Sequence, residues 1–190
     1  SALLARAGAT AAVEAIEGPQ GFGPTHAGSA EAAAFDCLGA AWVFPRISYK
    51  FHACCHGLHA MLEALRSLRA TGLAPGAIDS VTIRTNPRWL QVCNQPEPVT
   101  GLQAKFSYRL TAAMMLAGVD TASLEAYSAE TCARDDLRAL RDRVTVQADG
   151  DLSDSEARVS IVAGGLTREA HHDILADADP TAIEQRLRAK

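Results

Sequence analysis

From Cys54 to Gly72 the side chains of Leu58, Met61, Leu62, Leu65 and Leu68 share one helical face, and Glu63, Arg66 and Arg69 share another. That spacing predicts an amphipathic helix half sunk in a core. Pro75-Gly76 turns the chain, and Val81, Thr82 and Ile83 bring the alternation of a strand over Ile78 to Thr85. Asn86 to Thr100 carries Pro87, Pro96 and Pro98, which predicts an extended, irregular connection. Thr100 with Gln103 has the form of a capping box, and Phe106, Leu110, Ala113, Met114 and Ala117 follow at helical spacing before Gly118. A second strong helix is expected there, with shorter ones over Ser123 to Glu130 and Arg134 to Arg141. The period then drops to two: Val144, Val146 and Ala148, and later Ala157, Val159, Ile161 and Ala163, alternate with polar neighbours around the turn Gly150 to Glu156. Leu166 to Ile174 reads as a third, weaker strand, and Pro180 to Lys190 as a short charged helix.

Ahead of these elements, residues 1 to 16 are Ala-rich, with Leu3, Leu4, Ala7, Ala11 and Ala15 near helical spacing, and Gly18-Pro19 ends the run. Gly18 to Gly28 holds four glycines and two prolines in eleven residues and reads as a loop. Ser29 to Leu38 returns to helix, with Ser29 as its cap.

The 190 residues suffice for one core, and at 48% hydrophobic and 21% charged they have the balance of an ordinary globule. The net charge is -4 with scattered arginines, so the basic stripe that nucleic acid requires is missing and no nucleic-acid partner is expected. No run of 18 or more apolar residues exists to span a membrane. Five cysteines, two of them adjacent, suit reduced thiols in the cytoplasm better than a secreted disulfide framework. The chain begins without Met, which fits processing and equally a segment cut from something longer.

Lys50, His52, Cys54, Cys55, His56 and His59 place six reactive groups within ten residues at the entry to the first strong helix. Zinc is the first chemistry to weigh, but neither a second Cys-x-x-Cys pair nor His-Glu-x-x-His occurs, so no metal is expected. A nucleophilic Cys-His pair is the second, without an orienting Asn or Asp in the pattern. The third needs neither metal nor covalent intermediate: cationic and polar groups bind carboxylates while an imidazole or amine moves a proton on the adjacent carbon. The bland alternative is a buried thiol and an interior histidine with satisfied hydrogen bonds. Asp149, Asp151, Asp154 and Glu156 lack EF-hand spacing and read as a solvated turn. His171-His172, on a strand, face opposite sides.

The segment Lys50-Phe-His-Ala-Cys-Cys55-His-Gly-Leu-His59 is similar to one in the MmgE/PrpD family, where a lysine is followed five positions on by Cys or His and nine on by a His opening a helix. Thr100-Gly-Leu-Gln-Ala-Lys-Phe-Ser107 resembles the family's Ala-Lys-Phe-Ser segment before an Ala-rich helix, and Glu17-Gly-Pro-Gln-Gly-Phe22 its Glu-Gly-Pro-x-Gly-Phe turn. The family often has Tyr three residues beyond that serine, where this chain has Leu110, with Tyr108 two residues earlier.

The resemblance implies an α+β fold: a helical segment, then a small α/β lid with an antiparallel sheet of three to four strands packed on helices. Residues 1–46 would end the helical domain, 47–176 form the lid and 177–190 return toward the helical domain. It further implies a lyase or isomerase without cofactor, acting on a small di- or tricarboxylate such as 2-methylcitrate, and a homodimer completed by an N-terminal helical half. Lys50 and Cys55 match its active-site positions. The expected roles are catalysis for Lys50, Cys55 and His56, and substrate binding for Lys105, Arg109 and His59. Dehydration is the first choice, decarboxylation or epimerisation the alternative. A non-catalytic lid that binds an anion or a partner chain is the competitor from another class.

Overall fold

The computed structural model describes residues 2–29, 32–42, 49–176 and 179–188, and the chain divides into two compact units, residues 1–47 and 48–190. The expected domain boundaries at 46/47 and 176/177 fall on or beside residues outside the described ones.

In the first unit the helix expected over residues 1 to 16 is confined to α1 (Ala2–Arg6). Gly8 stops it by turning to φ 88, a conformation that costs glycine little. The expected loop contains α2 (Phe22–Ala27), closed by Gly28 at φ 78, whose N–H reaches Pro24 O. A 3-10 turn over Ala32–Phe35 stands where a longer helix was expected, whose start at residues 30 and 31 lies outside the described ones. Among the described residues of this unit only Gly18 and Gly21 are buried, whereas Leu3, Leu4, Val13, Ile16, Phe22, Leu38 and Trp42 are exposed.

The second unit is the expected α/β body. A 3-10 turn, His56–Leu58, leads into α3 (His59–Arg69), whose Met61, Leu62 and Leu65 are fully buried. Each such side chain removed from water contributes roughly 1.5–3 kcal/mol. β1 (Ile78–Thr85) follows, and then α4 (Pro87–Val92) replaces the expected irregular connection. Pro87 occupies the first helical turn, where its missing N–H is not needed, and the Asn86 side chain accepts from Arg88 N.

The helix expected after Thr100 is two helices. α5 (Gly101–Ala104) has the full capping box of Thr100 and Gln103, and α6 (Tyr108–Leu116) begins afresh with Ser107 accepting from Leu110 N. Ser107 also bridges Asn94, so the intervening backbone is spent on a strand-like contact. Ser123 to Glu130 is mostly turn. Asp120 accepts from Ala122 N, and helix returns only as α7 (Ala129–Ala133), followed by α8 (Asp135–Arg141).

Strands β2 (Val144–Ala148), β3 (Glu156–Ala163) and β4 (Leu166–Asp173) complete a four-stranded sheet of order β2-β1-β3-β4. β1 with β3 and β3 with β4 pair antiparallel, as expected, while β1 and β2 are parallel. A parallel pair needs a crossover, and α4 to α8 supply it. Gly164 and Gly165, at φ 56 and 77, make the two-residue turn between β3 and β4. Val81, Ile83, Val144, Ala157, Val159 and Ile161 fill the inner face, against which α3 and α6 pack. α9 (Pro180–Arg188) closes the chain. The fold is thus α+β, with a largely antiparallel sheet covered on one face by helices.

Candidate functional site

The segment between Lys50 and α3 is irregular, and two backbone bonds pin it. Ala53 N donates to Thr121 O at 2.8 Å and Cys55 N to Lys105 O at 2.9 Å. The first ties it to the loop after α6, the second to the break between α5 and α6. The break that the sequence concealed is therefore what brings Lys105 beside Cys55. Lys50, His52, Ala53, Cys54, Cys55, Lys105, Phe106, Ala122 and Leu124 line a cleft of about 410 Å3. A larger concavity, about 760 Å3, lies over the outward face of the sheet around Arg84, Arg158 and His171. Its lining is the alternate polar row that a one-sided sheet shows to water, and none of the expected site residues reaches it.

Lys50 Nζ donates to Cys54 O at 3.5 Å, so the amine reaches back over the pinned segment. Lys105 stands over the Tyr127 ring, 5.7 Å from its centroid. Cys54 is buried, and burial pushes its thiol up to about 12, although a hydrogen bond with Tyr127 works the other way. It is held protonated. His56, partly exposed, has its imidazole pKa lowered, first by burial and then by the Lys50 charge, with Asp154 opposing. A neutral imidazole beside an ammonium is thereby available to take a proton.

His59 and Arg109 do not line the cleft. His59 is only 2% exposed, its Nε2 lacks a hydrogen-bond partner among the described residues, and its ring lies 5.2 Å from that of His52 and 5.3 Å from that of His56. Burial, then the neighbouring His52, His56 and Lys50, lower its pKa to about 3. Arg109 is on α6, its Nε likewise buried without a partner. Tyr108 does not stand in for the tyrosine missing at Leu110. Its hydroxyl donates to Gly57 O at 2.7 Å and shares a 2.9 Å bond with Thr85, and burial drives its pKa up.

The group that sequence reasoning left without a role is His52. It shares a 2.7 Å hydrogen bond with Thr121 through Nδ1 and donates through Nε2 to Glu63 Oε1 at 2.9 Å. Glu63, itself buried, also accepts from Arg66 Nε at 2.9 Å and from Arg186 Nη2 at 2.8 Å. Burial alone would raise the Glu63 carboxyl. The bonds from His52 and Arg186, with the arginine charge, outweigh it and hold the group far below the usual carboxylate range. The sequence placed Glu63 on the polar face with Arg66 and Arg69, whereas the fold buries it, and spacing alone does not pair it with His52.

Among the described residues no three His, Cys, Asp or Glu side chains converge as a metal site, and no helix is long and apolar enough to cross a membrane. What the cleft offers is two lysine side chains and a protonated thiol, while His56, next in the chain after Cys55, is not part of its lining. No curated protein matches the chain. A family profile described as the MmgE/PrpD C-terminal domain matches residues 52–183, a span that begins two residues after Lys50 and takes in the whole sheet. By that match the chain belongs to the MmgE/PrpD family of enzymes and carries its C-terminal domain.

Proposed function

We propose that this chain is the C-terminal part of a lyase that dehydrates a small di- or tricarboxylate such as 2-methylcitrate by acid–base chemistry. The observation that carries the reading is that Lys50 and Lys105, far apart in sequence, line one cleft together with Cys55. Two ammonium groups in a partly desolvated cleft suit two carboxylates of one substrate, because water screens such charges less there. Ion pairing at a carboxylate also draws charge from it and eases loss of the proton on the neighbouring carbon. His56, kept neutral, would take that proton; the electron pair forms the double bond, and the β-hydroxyl leaves as water by taking the proton back from the His56 imidazolium. Cys55 would help place the reacting carbon. Arg109 and His59 would act from behind the cleft rather than on the substrate. The metal independence, the homodimer and the opposing N-terminal helical half come from the family resemblance and belong to the same proposal.

Decarboxylation or epimerisation would begin from the same carboxylate-holding pair and would differ in the bond that breaks. The test is turnover of 2-methylcitrate, cis-aconitate and iminodisuccinate with the N-terminal half supplied. Lys50→Met should lower kcat/KM by about 100-fold, in line with removal of one group that stabilises developing charge. Undiminished turnover in Lys50→Met and Lys105→Met would remove the reading. Full turnover by the 190-residue chain alone would show a self-contained site.

A further inference from the structure

We propose that Cys55 and Cys93 are an oxidisable pair: a peroxide joins them in a disulfide, and the bond withdraws the Cys55 thiol from the cleft. The bridge stands on the placement of the two thiols alone, and its effect on turnover rests on the reading of the cleft as a lyase site.

Contacts on both sides of the pair bring these distant residues together. Cys55 N donates to Lys105 O at 2.9 Å, which fixes it against the break between α5 and α6. Across that break, Gln95 N donates to Phe106 O at 3.0 Å, Ser107 Oγ donates to Gln95 O at 2.6 Å, and Ser107 bridges Asn94, the residue after Cys93. Cys93 itself closes α4, with its N–H on Trp89 O. The Trp89 ring lies against Gly57, two residues after Cys55, so closely that a Cβ there would stand 2.4 Å from it. Tyr108 spans the same gap, donating to Gly57 O at 2.7 Å and sharing a hydrogen bond with Cys93. Inside this frame the two thiols share a hydrogen bond. Cys93 Sγ donates its own proton to Trp89 O at 3.4 Å, which leaves the sulfur lone pairs to face Cys55.

Their surroundings divide the roles. Cys55 is partly exposed and lines the cleft, whereas Cys93 is fully buried, so a peroxide from solvent meets Cys55 first. The Cys55 sulfur attacks the peroxide: an S–O bond forms, the O–O bond breaks, and the other oxygen leaves with the thiol proton as water or an alcohol. Cys93, kept protonated by burial, then attacks the Cys55 sulfenic acid. The S–S bond forms, the S–O bond breaks, and the departing hydroxyl takes the Cys93 proton and leaves as water. Both thiols are thereby oxidised and the peroxide is reduced. Cys54 is no rival to Cys93: it is buried and hydrogen bonded with Tyr127. Adjacent Cα atoms also lie only about 3.8 Å apart, short of the roughly 4.4–6.8 Å that an unstrained bridge spans.

The test adds hydrogen peroxide to the chain, blocks the remaining thiols with N-ethylmaleimide and reads tryptic peptides by mass spectrometry. Cleavage after Lys50, Arg66, Arg88 and Lys105 puts Cys54 and Cys55 in residues 51–66 and Cys93 in residues 89–105. These peptides should appear joined, two hydrogens lighter than their sum, in the wild type and Cys54→Ser, and not in Cys55→Ser or Cys93→Ala, each first checked for folding by circular dichroism. Dimedone, which traps sulfenic acid, should label Cys55 several-fold more in Cys93→Ala than in the wild type, because the resolving thiol is gone. Cys55→Ser, at a partly exposed position, carries the test if Cys93→Ala fails to fold. No joined peptide in the folded wild type, a bridge that persists in Cys55→Ser, or equal dimedone labelling with and without Cys93 would overturn the inference. A second arm follows turnover of 2-methylcitrate with the N-terminal half supplied. Loss on oxidation and recovery with dithiothreitol is expected in the wild type. A bridge that forms with turnover unchanged would defeat the placement of Cys55 at the reacting carbon and leave the oxidisable pair standing.

Discussion

Changing Glu63 to Gln keeps the shape of the side chain and removes the one charge that His52, Arg66 and Arg186 converge on. Hydrogen bonds to a charged group are worth about 1.5–3 kcal/mol each, and breaking a buried pair costs roughly 3–5 kcal/mol. The Glu63 side chain is 4% exposed, so its own charge is poorly screened, but Arg66 is 56% and Arg186 33% exposed. Their share must be discounted for solvent, which leaves the His52 bond and part of the Arg186 fork. The Gln amide also turns an NH2 group toward donors on one side. A loss of about 3 kcal/mol follows, or a fall of about 6–12 °C in Tm for a chain of this size. Urea unfolding followed by circular dichroism at neutral pH reads it directly. The pH dependence supplies a second check. The folded pKa of Glu63 is depressed below its ordinary 4.5, so its stabilisation is complete above that value and is lost as pH falls through the folded pKa. The gap between wild type and Glu63→Gln should therefore narrow in acid below about pH 4.5. A Glu63→Gln chain within about 0.5 kcal/mol of wild type at neutral pH, or a gap that widens in acid, would refute the account of the network.

Three further outcomes are expected. His59 has its folded pKa lowered from 6.5 to about 3, so the unfolded chain binds the extra proton and stability falls as pH drops between those values. By about pH 5 the loss is about 2 kcal/mol, and urea titrations of His59→Leu should lack that component. A methyl group at Gly57 would run into the Trp89 ring, so Gly57→Ala should cost about 1–3 kcal/mol and shift Trp89 fluorescence, since the ring cannot both yield and keep its Nε1 bond to Asp154 O. With its thiol pushed up to about 12, buried Cys54 should stay unlabelled by iodoacetamide under native conditions in which exposed Cys37 reacts, and equal rates would contradict its placement.

Strands and the α3 helix were legible because their burial follows a simple period. Val81 and Ile83, or Val159 and Ile161, face one core, and alternation is all that a reader needs to see it. α4 was hidden by the same prolines that permit it: Pro87 at a helix start looks identical, in sequence, to Pro87 in an extended loop. The break at Lys105 to Ser107 was hidden because its cause is the bridge from Ser107 to Asn94, a partner that helical periodicity does not reveal. The Ala-rich start read as a long helix on propensity alone. With no buried side chain along it, propensity was not enough to carry the helix past Gly8. At the site, the cluster from Lys50 to His59 was visible as a density of reactive groups. Its division into cleft residues and buried ones was not, since His52, although it reaches the cleft, is engaged by Thr121 and Glu63, and His59 is buried against the His52 and His56 rings, contacts that close only in the folded chain.

The central claim is that Lys50 and Lys105 form one carboxylate-holding pair, and the three lysines allow it to be read without turnover. Reductive methylation with labelled formaldehyde keeps the charges and gives each lysine its own carbon signal. Titration with cis-aconitate at fixed ionic strength should move the Lys50 and Lys105 signals together along one saturable curve, leave Lys190 in place, and lose the Lys105 response in Lys50→Met. Equal, unsaturable drift of all three signals, or a Lys105 response indifferent to Lys50→Met, would contradict the claim.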